Sequence, residues 1–291
     1  MTLRDAWKLL KVEITFLVLL VAAAGFMAAP GAVSHIILII PLLVSGGLAS
    51  MSAGLFNNLY DRDIDVRMKR TRNRESMISG RTRILTVAGT AMVISAFICS
   101  WLIINLLTAI FILSGFLSYL FLYTMLLKRR TSWNIVIGGI SGSFPALAGW
   151  AAVTDSVSLT SIYIAMLVFI WTPTHFWSLA VGNREDYTEA GVPMLPSIAT
   201  QHDTAKYLTI NSAILIAYTL LPLMLSLLNV GIVISVGPAF YILAVLLDSY
   251  LVYLMLMQYR SKFSVETYRK SFHFSNYYLM LLLIGICLVI V

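Results

Sequence analysis

Apolar runs long enough to cross about 30 Å of hydrocarbon at 1.5 Å per residue recur from one end of this chain to the other. Nine spans are predicted, near residues 14–29, 34–55, 84–104, 107–127, 133–153, 159–181, 208–229, 231–254 and 273–291. No polar stretch between them is long enough to fold as a separate soluble domain. The expected fold class is therefore all-α, a polytopic membrane protein, with residues 1–291 forming a single integral membrane domain. Composition agrees: 11% of residues are charged, against about 25% in a soluble domain. An amphipathic stretch from Leu3 to Leu10 precedes the first span and suits the membrane interface. No small-residue cleavage site follows it, so it is not read as a cleavable signal peptide.

The basic residues fix an orientation. All 20 Lys and Arg fall before the first span or on the four even-numbered connections, whereas the odd connections carry Asp155 as their only charge. By the positive-inside rule the N-terminus is expected in the cytoplasm and, with nine spans, the C-terminus outside a cell membrane. The net charge of +7 is thus a record of topology, and no aromatic and basic alternation points to nucleic acid. Cys99 and Cys287 lie inside apolar spans with no partner at metal-ligand spacing, which implies neither a disulfide framework nor a zinc site.

Acidic residues gather on the same side. The connections 56–83 and 182–207 hold 8 of the 13 acids. In the first, Asn57, Asp61 and Asp65 are spaced i, i+4, i+8, so a second span that continues helically past Leu55 sets them on one stripe. Carboxylates one turn apart repel unless a cation compensates them. A hard divalent ion such as Mg²⁺ suits all-oxygen ligands and is commonly shared between one or two carboxylates and substrate phosphates. Arg67, Lys69, Arg70, Arg72 and Arg74 follow, and guanidinium groups grip phosphate oxygens in pairs. Acids, metal and arginines together describe a diphosphate site. The ordinary alternative is a solvated loop whose acids pair with its own arginines.

Asn183-Arg184-Glu185-Asp186-Tyr187-Thr188-Glu189 follows the sixth span and is the expected second half of the site, at a position four spans on that suggests an internal repeat. Within that span stands His175, in Trp171-Thr172-Pro173-Thr174-His175-Phe176-Trp177. Ionisable residues inside a membrane usually face the bundle interior. On a continuous helix His175 shares a face with Asp186, roughly 16 Å deeper. It could contact an acceptor, ligate heme iron or hydrogen-bond a neighbouring helix. Asp248, in the eighth span, could pair with a cation or a tyrosine. Gly138, Gly139, Gly142 and Gly149 with Pro145 are expected to allow close helix packing. His202 and His273, near inner helix ends, are expected to have no catalytic task.

These residues resemble the UbiA superfamily of membrane prenyltransferases, and within it the branch that farnesylates heme. The superfamily pattern Asn-x-x-x-Asp-x-x-x-Asp maps onto Asn57, Asp61 and Asp65. The branch-specific extension is similar to Tyr60-Asp61-Arg62-Asp63-Ile64-Asp65 with Met68-Lys69-Arg70-Thr71-Arg72-Asn73-Arg74. Further matches are Lys128-Arg129 with Thr131 and Asn134, the glycines with Pro145 and Trp150, the string Trp171 to Trp177, and Asp186-Tyr187 with Ala190 to Pro196. Quinone prenyltransferases typically carry two aspartates where Asn183 and Tyr187 stand here, which leaves Glu185 and Asp186 as the available acids. Glu75, Val12-Glu13 and Thr174 depart from the pattern, and none replaces a proposed ligand.

The resemblance implies a nine-helix UbiA-type bundle that uses farnesyl diphosphate as donor and heme b as acceptor, giving heme O. It implies Mg²⁺ as cofactor, held by Asn57, Asp61, Asp65, Asn183 and Asp186, with Asp61, Asp65 and Asp186 as the catalytic acids. Lys11, Tyr60, Arg67, Arg70, Arg74, Lys128, Arg129, Glu185 and His175 are then substrate-binding, and Trp171, Phe176 and Trp177 could shield an allylic cation. A lipid bilayer surrounds the enzyme, and heme A synthase or a terminal oxidase assembly pathway would receive the product. Two other readings are a UbiA-type enzyme with a quinone or lipid acceptor and a heme-handling permease. A permease would keep its ionisable residues near the bilayer centre.

Overall fold

The computed structural model describes residues 2–228, 234 and 236–287. Among these the regular structure is entirely helical, as it must be for a hydrophobic chain that satisfies its backbone groups within each segment. Six stretches are long and apolar enough to cross a membrane: Val33–Tyr60, Thr82–Ile103, Leu106–Leu127, Asn134–Thr154, Leu159–Gly182 and Pro238–Arg260. Two bent pairs raise the number to eight if each is one span, Leu3–Leu9 with Val12–Met27 at 53° and Gln201–Thr219 with Leu221–Leu227 at 48°. The expected ninth span falls on Val265–Cys287, where Glu266, Arg269 and Lys270 occupy the first two turns. The structure thus supports a multi-pass membrane protein with six to eight spans by length and hydropathy. The predicted end of the last span, residues 288–291, and the junction of the predicted spans 208–229 and 231–254, at residues 229–233, lie outside the described residues.

In chain order the helices are α1 (Leu3–Leu9), α2 (Val12–Met27), α3 (Ile39–Tyr60), α4 (Arg62–Asp65), α5 (Arg74–Ile78), α6 (Thr82–Ile103), α7 (Leu106–Leu117), α8 (Asn134–Gly138), α9 (Phe144–Thr154) and α10 (Leu159–Gly182). They continue as α11 (Arg184–Glu189), α12 (Leu195–Ile198), α13 (Gln201–Thr219), α14 (Leu221–Leu227), α15 (Pro238–Arg260) and α16 (Val265–Cys287). A 3₁₀ turn leads into α3, and α7 runs on as a ten-residue π-helical stretch, Ser118–Leu127. Side chains that anchor starts are where capping chemistry expects them. Thr2 and Asp5 form a capping box on α1, Ser158 and Ser161 one on α10, and Asn105 accepts from the Thr108 amide on α7.

Burial divides the bundle. One apolar cluster joins α2, α9, α10, α13, α15 and α16 through residues such as Val21, Trp150, Leu167, Leu215, Phe240 and Leu282. A second joins α2, α3, α6, α7 and α9 around Phe26, Leu42, Ala96 and Ile112. Both include α2 and α9, which cross closely because a glycine stands on each: a Cβ on Gly149 would lie 2.0 Å from the Ala22 carbonyl oxygen, and one on Gly25 2.1 Å from that of Ala146. Small residues that let backbones touch are how membrane helices gain packing without a hydrophobic driving force. The opposite faces carry bare apolar side chains, with Ile84 71%, Val87 64% and Leu102 72% exposed on α6, as lipid contact requires.

Candidate active site

Both acidic runs sit at the end of a long helix, and both helices end the same way. α3 stops at Tyr60, Asp61 adopts φ −89° and ψ 14°, and α4 resumes at Arg62. α10 stops at Gly182, Asn183 adopts φ −120° and ψ 24°, and α11 resumes at Arg184. The expected continuous helix through Asn57, Asp61 and Asp65 is therefore broken, yet the spacing survives: the amides of Asp61 and Asp65 still donate to the carbonyls of Asn57 and Asp61, at 2.9 and 2.8 Å. The break at Asn183 also removes the expected single helix face shared by His175 and Asp186.

The acids are buried, and Asp61 and Asp65 are matched with cations. Asp61 is 1% exposed, Asp65 4% and Asp186 8%. Unpaired charges at such depth are costly, so partners are obligatory. Lys128 donates to Asp61 Oδ2, Asn57 Nδ2 reaches the same oxygen at 2.8 Å, and Arg129 Nη2 stands 3.3 Å from Oδ1. Arg129 also holds Asp63 with both nitrogens at 2.8 Å and lies 4.8 Å from the centre of the Tyr60 ring. That paired contact holds the Asp63 carboxyl below its ordinary value. Asp65 is gripped by Arg74 at 3.0 Å, and its carbonyl accepts from Thr71 Oγ1 at 3.0 Å. Glu75 closes the same connection on Arg62, with Nε to Oε2 at 2.8 Å, and is likewise held low.

The two runs meet. The Arg70 amide of the first donates to Asp186 Oδ2 of the second at 3.3 Å. Ile64 and Met68 pack with Tyr187, Ala190, Val192 and Met194 in one buried cluster. Lys11 enters from the opposite side. It occupies the bend between α1 and α2 with φ 51°, a left-handed backbone uncommon in a non-glycine residue. Its ammonium donates to Asn57 Oδ1 and stands 3.4 Å from the Tyr119 hydroxyl.

Other predicted site residues lie further out. Arg67 and Arg70 have exposed side chains on the rim. Glu185 points to solvent, with its side chain 86% exposed and 3.6 Å from Lys69. Asn183 donates back to the Leu179 carbonyl at 2.9 Å. His175 is buried between α10 and α16, where its Nδ1 meets Ser275 Oγ at 2.8 Å and its ring stacks on Trp171 at 4.3 Å. Asp248 accepts from Tyr278 at 2.6 Å, the tyrosine pairing that the sequence allowed. Trp177 packs into a separate cluster with Leu195, Leu208 and Tyr268, and Phe176 is 37% exposed.

Three residues of the site escaped the sequence reading. Thr124, fully buried, accepts from Asn57 Nδ2 at 3.1 Å and thereby turns the amide oxygen toward Lys11. Tyr119 and Tyr123 line the same face. The π-helical register aligns these residues: its i→i+5 bonds appear as Lys128 N to Tyr123 O at 2.8 Å, and Thr124 Oγ1 bonds back to Tyr119 O at 2.9 Å. Extended π-helix is rare and clusters at functional sites. An apolar run gives no sign of it, so the only usable signal was Thr124 four residues before Lys128.

A membrane bundle with two acidic runs joined at one end is the arrangement on which a family assignment can be tested. The chain matches the UbiA prenyltransferase family model over residues 18–277 and belongs to that family. It is 47% identical over 285 residues to protoheme IX farnesyltransferase 2 of Picrophilus torridus, covering 98% of this chain and 96% of that one. It is 42% identical over 221 residues to protoheme IX farnesyltransferase of Gloeobacter violaceus, covering 75% and 72%. The fold is similar to that of a digeranylgeranylglyceryl phosphate synthase, with TM-score 0.77, 16% identity and coverage of 99% and 98%. It is also similar to a UbiA homolog from Archaeoglobus fulgidus bound to GPP and Mg²⁺, with TM-score 0.70, 17% identity and coverage of 98% and 100%.

Proposed function

We propose that this chain transfers the farnesyl group of farnesyl diphosphate to a vinyl group of heme b, giving heme O, and that it does so at the cytoplasmic face of the cell membrane. The observation that carries the reading is the junction of the two acidic runs, where Asp61, Asp65 and Asp186 are buried beside Lys128, Arg74 and the Arg70 amide. The relative that shares nearly half of its residues and bears the name protoheme IX farnesyltransferase 2 supports heme as acceptor.

A diphosphate brings several negative charges to this end of the bundle. Lys11, Lys128, Arg74 and Arg129, all part-buried, meet them beside the acids, and Arg67 and Arg70 at the rim. The donor set fits Mg²⁺: the three acids offer only oxygen, and among the described residues no three His, Cys, Asp or Glu side chains converge closely enough to hold an ion by themselves. An ion shared between one or two carboxylates and phosphate oxygens needs no such cage. Asn57, Asp61, Asp65 and Asp186 would hold it, with Asn183 beside Asp186. Bound there, Mg²⁺ would neutralise charge that grows on the diphosphate as the allylic C–O bond breaks. Lys128 and Arg74 bring positive charge to the same leaving group.

Each CH₂ group of the farnesyl chain gains about 0.8 kcal/mol on leaving water, which directs the tail into the apolar bundle. The C–O electron pair leaves with the diphosphate, the vinyl π electrons close the new C–C bond, and water captures the resulting cation with loss of one proton. No strong base is required. The intramembrane groups His175 and Asp248 bond to Ser275 and Tyr278 on the adjacent helix, a packing role that gives little support to a midplane permease site. Heme A synthase or a terminal oxidase assembly pathway would consume the product.

The test is to incubate membranes containing the protein with farnesyl diphosphate, Mg²⁺ and heme b, or a quinone precursor in place of heme, and to identify products by mass spectrometry. A hydroxyethylfarnesyl heme is expected. Prenylation of the quinone precursor alone would overturn the acceptor.

A further inference from the structure

A cavity of about 390 Å³ adjoins the second acidic run, a volume within the usual range of small-molecule sites. It forms where the end of α10, α11, α12, the start of α13 and the turn between α15 and α16 come together. Asn183 and Asp186 contribute one wall, whereas Asp61, Asp65, Arg74 and Lys128 are not among the described residues that line it. The cavity therefore lies on the far side of Asp186 from the first run, whose Arg70 amide holds Asp186 Oδ2.

Its lining combines apolar surface, loosely held cations and an unused donor. Val181, Pro196, Phe263 and Val265 supply the apolar part. Lys69 stands 3.6 Å from Glu185, with the two side chains 65% and 86% exposed, a pairing that solvent weakens. Arg184 Nη2 reaches the Ala199 carbonyl at 3.3 Å, which uses one of five guanidinium donors. Tyr268 also lines the cavity; it is 2% exposed, and its hydroxyl has no hydrogen-bond partner among the described residues. Trp177 Nε1, in the same apolar cluster as Tyr268, Val181 and Phe263, has none either. Buried donors without acceptors are uncommon and costly. Two of them in the cluster behind one cavity point to a ligand that accepts hydrogen bonds.

We propose that this cavity receives the propionate edge of the heme acceptor, with Arg184 and Lys69 pairing its two carboxylates and the Tyr268 hydroxyl donating to one of them. Heme b is a flat apolar macrocycle with vinyl groups toward one edge and two propionates on the opposite one. A vinyl group brought to C1 of the donor, beside the diphosphate, leaves the propionates on the far edge. Carboxylates there need cations or water, since an apolar bundle offers them neither. Next to the acidic junction, the cavity offers apolar wall for the ring edge, and guanidinium, ammonium and hydroxyl donors for the carboxylates. Glu185 would repel them, but its charge is exposed and screened by solvent.

The inference rests on heme as the acceptor, and its test separates the two. The full-length protein in phosphatidylcholine nanodiscs is assayed with farnesyl diphosphate, Mg²⁺ and either heme b or its dimethyl ester, which keeps both vinyl groups and loses both charges. In the wild type the KM for the ester should exceed that for heme b about tenfold. Arg184→Gln and Lys69→Gln should each raise the KM for heme b about fivefold and leave those for the ester and farnesyl diphosphate unchanged. Arg83→Gln, which removes an exposed cation at the start of α6, should change none of them. Tyr268→Phe should raise the KM for heme b about threefold while Tm holds or rises, because the hydroxyl it removes lacks a protein partner. Equal KM values for heme b and ester in the wild type, or an Arg184→Gln effect alike on both, would overturn the propionate site while farnesylated heme still forms. An Arg184→Gln effect equal for both acceptors and confined to discs containing anionic phosphatidylglycerol would assign the cavity to a lipid headgroup instead. A wild type that farnesylates neither form of heme overturns the acceptor, and the site with it.

Discussion

Asp61 is the residue on which the site turns, because three neighbours commit hydrogen bonds to one carboxylate that is 1% exposed. Losing one partner strands buried charge, so Lys128→Ala should lower stability by about 3 kcal/mol in micelles. Adding Asp61→Asn should recover most of that loss without restoring turnover; a double variant as unstable as Lys128→Ala alone would show that the pair is not coupled. Thr124→Val removes one acceptor from the Asn57 amide and should cost about 1 kcal/mol while raising the Mg²⁺ concentration for half-maximal rate. The Asp63–Arg129 and Glu75–Arg62 pairs carry a pH signature. Both carboxyls are held low by their guanidinium partners, so their contribution is complete above the unfolded values of about 4 and disappears as pH falls through the lower folded ones. The acid limb of unfolding should therefore flatten in the Asp63→Asn, Glu75→Gln double variant, and an unchanged limb would count against these pairs. The acids themselves were legible in the sequence, since carboxylates spaced one helical turn apart repel unless a cation compensates them. Thr124, Tyr119 and Tyr123 were not, because an aromatic or hydroxyl residue in an apolar span gives no hint of which face it occupies.

At the scale of elements, the site is built from a motif used twice: a long helix, one residue out of helical geometry, and a short helix carrying acids. The spacing of Asn57, Asp61 and Asp65 predicted one stripe, and i→i+4 backbone bonds keep that relation across the break at Asp61. The corresponding break at Asn183 follows Gly182, a Gly-Asn pair of the kind that ends helices, yet the sequence reading carried one helix face through it from His175 to Asp186. Gly149 was legible as a packing residue and is the crossing point of α2 and α9. Gly149→Val would drive a side chain into the Ala22 carbonyl and should abolish the folded, monodisperse state in detergent, whereas Gly182→Ala, with no atom within 4 Å of its Cβ, should be tolerated. A monodisperse, active Gly149→Val protein would contradict the close crossing. The π-helical stretch joins these elements to the chemistry, since it alone brings Thr124 and Lys128 to the first run.

Over the whole molecule, hydropathy disclosed a membrane bundle, and charge placed the basic and acidic residues at one end. The count of spans was less legible. Interruptions at Lys11 and Leu220 bend two segments by 53° and 48°, and α16 begins with charged turns, features that hydropathy averages away. On the proposed reading, what makes the bundle an enzyme is the meeting of its two acidic ends around a diphosphate. Titration calorimetry of the purified protein with farnesyl thiodiphosphate, a donor that ionises slowly, tests that claim most directly. Binding should require Mg²⁺ and should weaken by about 100-fold or more in Asp61→Ala and in Asp65→Ala while both remain folded. Tight binding without Mg²⁺, or wild-type affinity in either variant, would contradict the account.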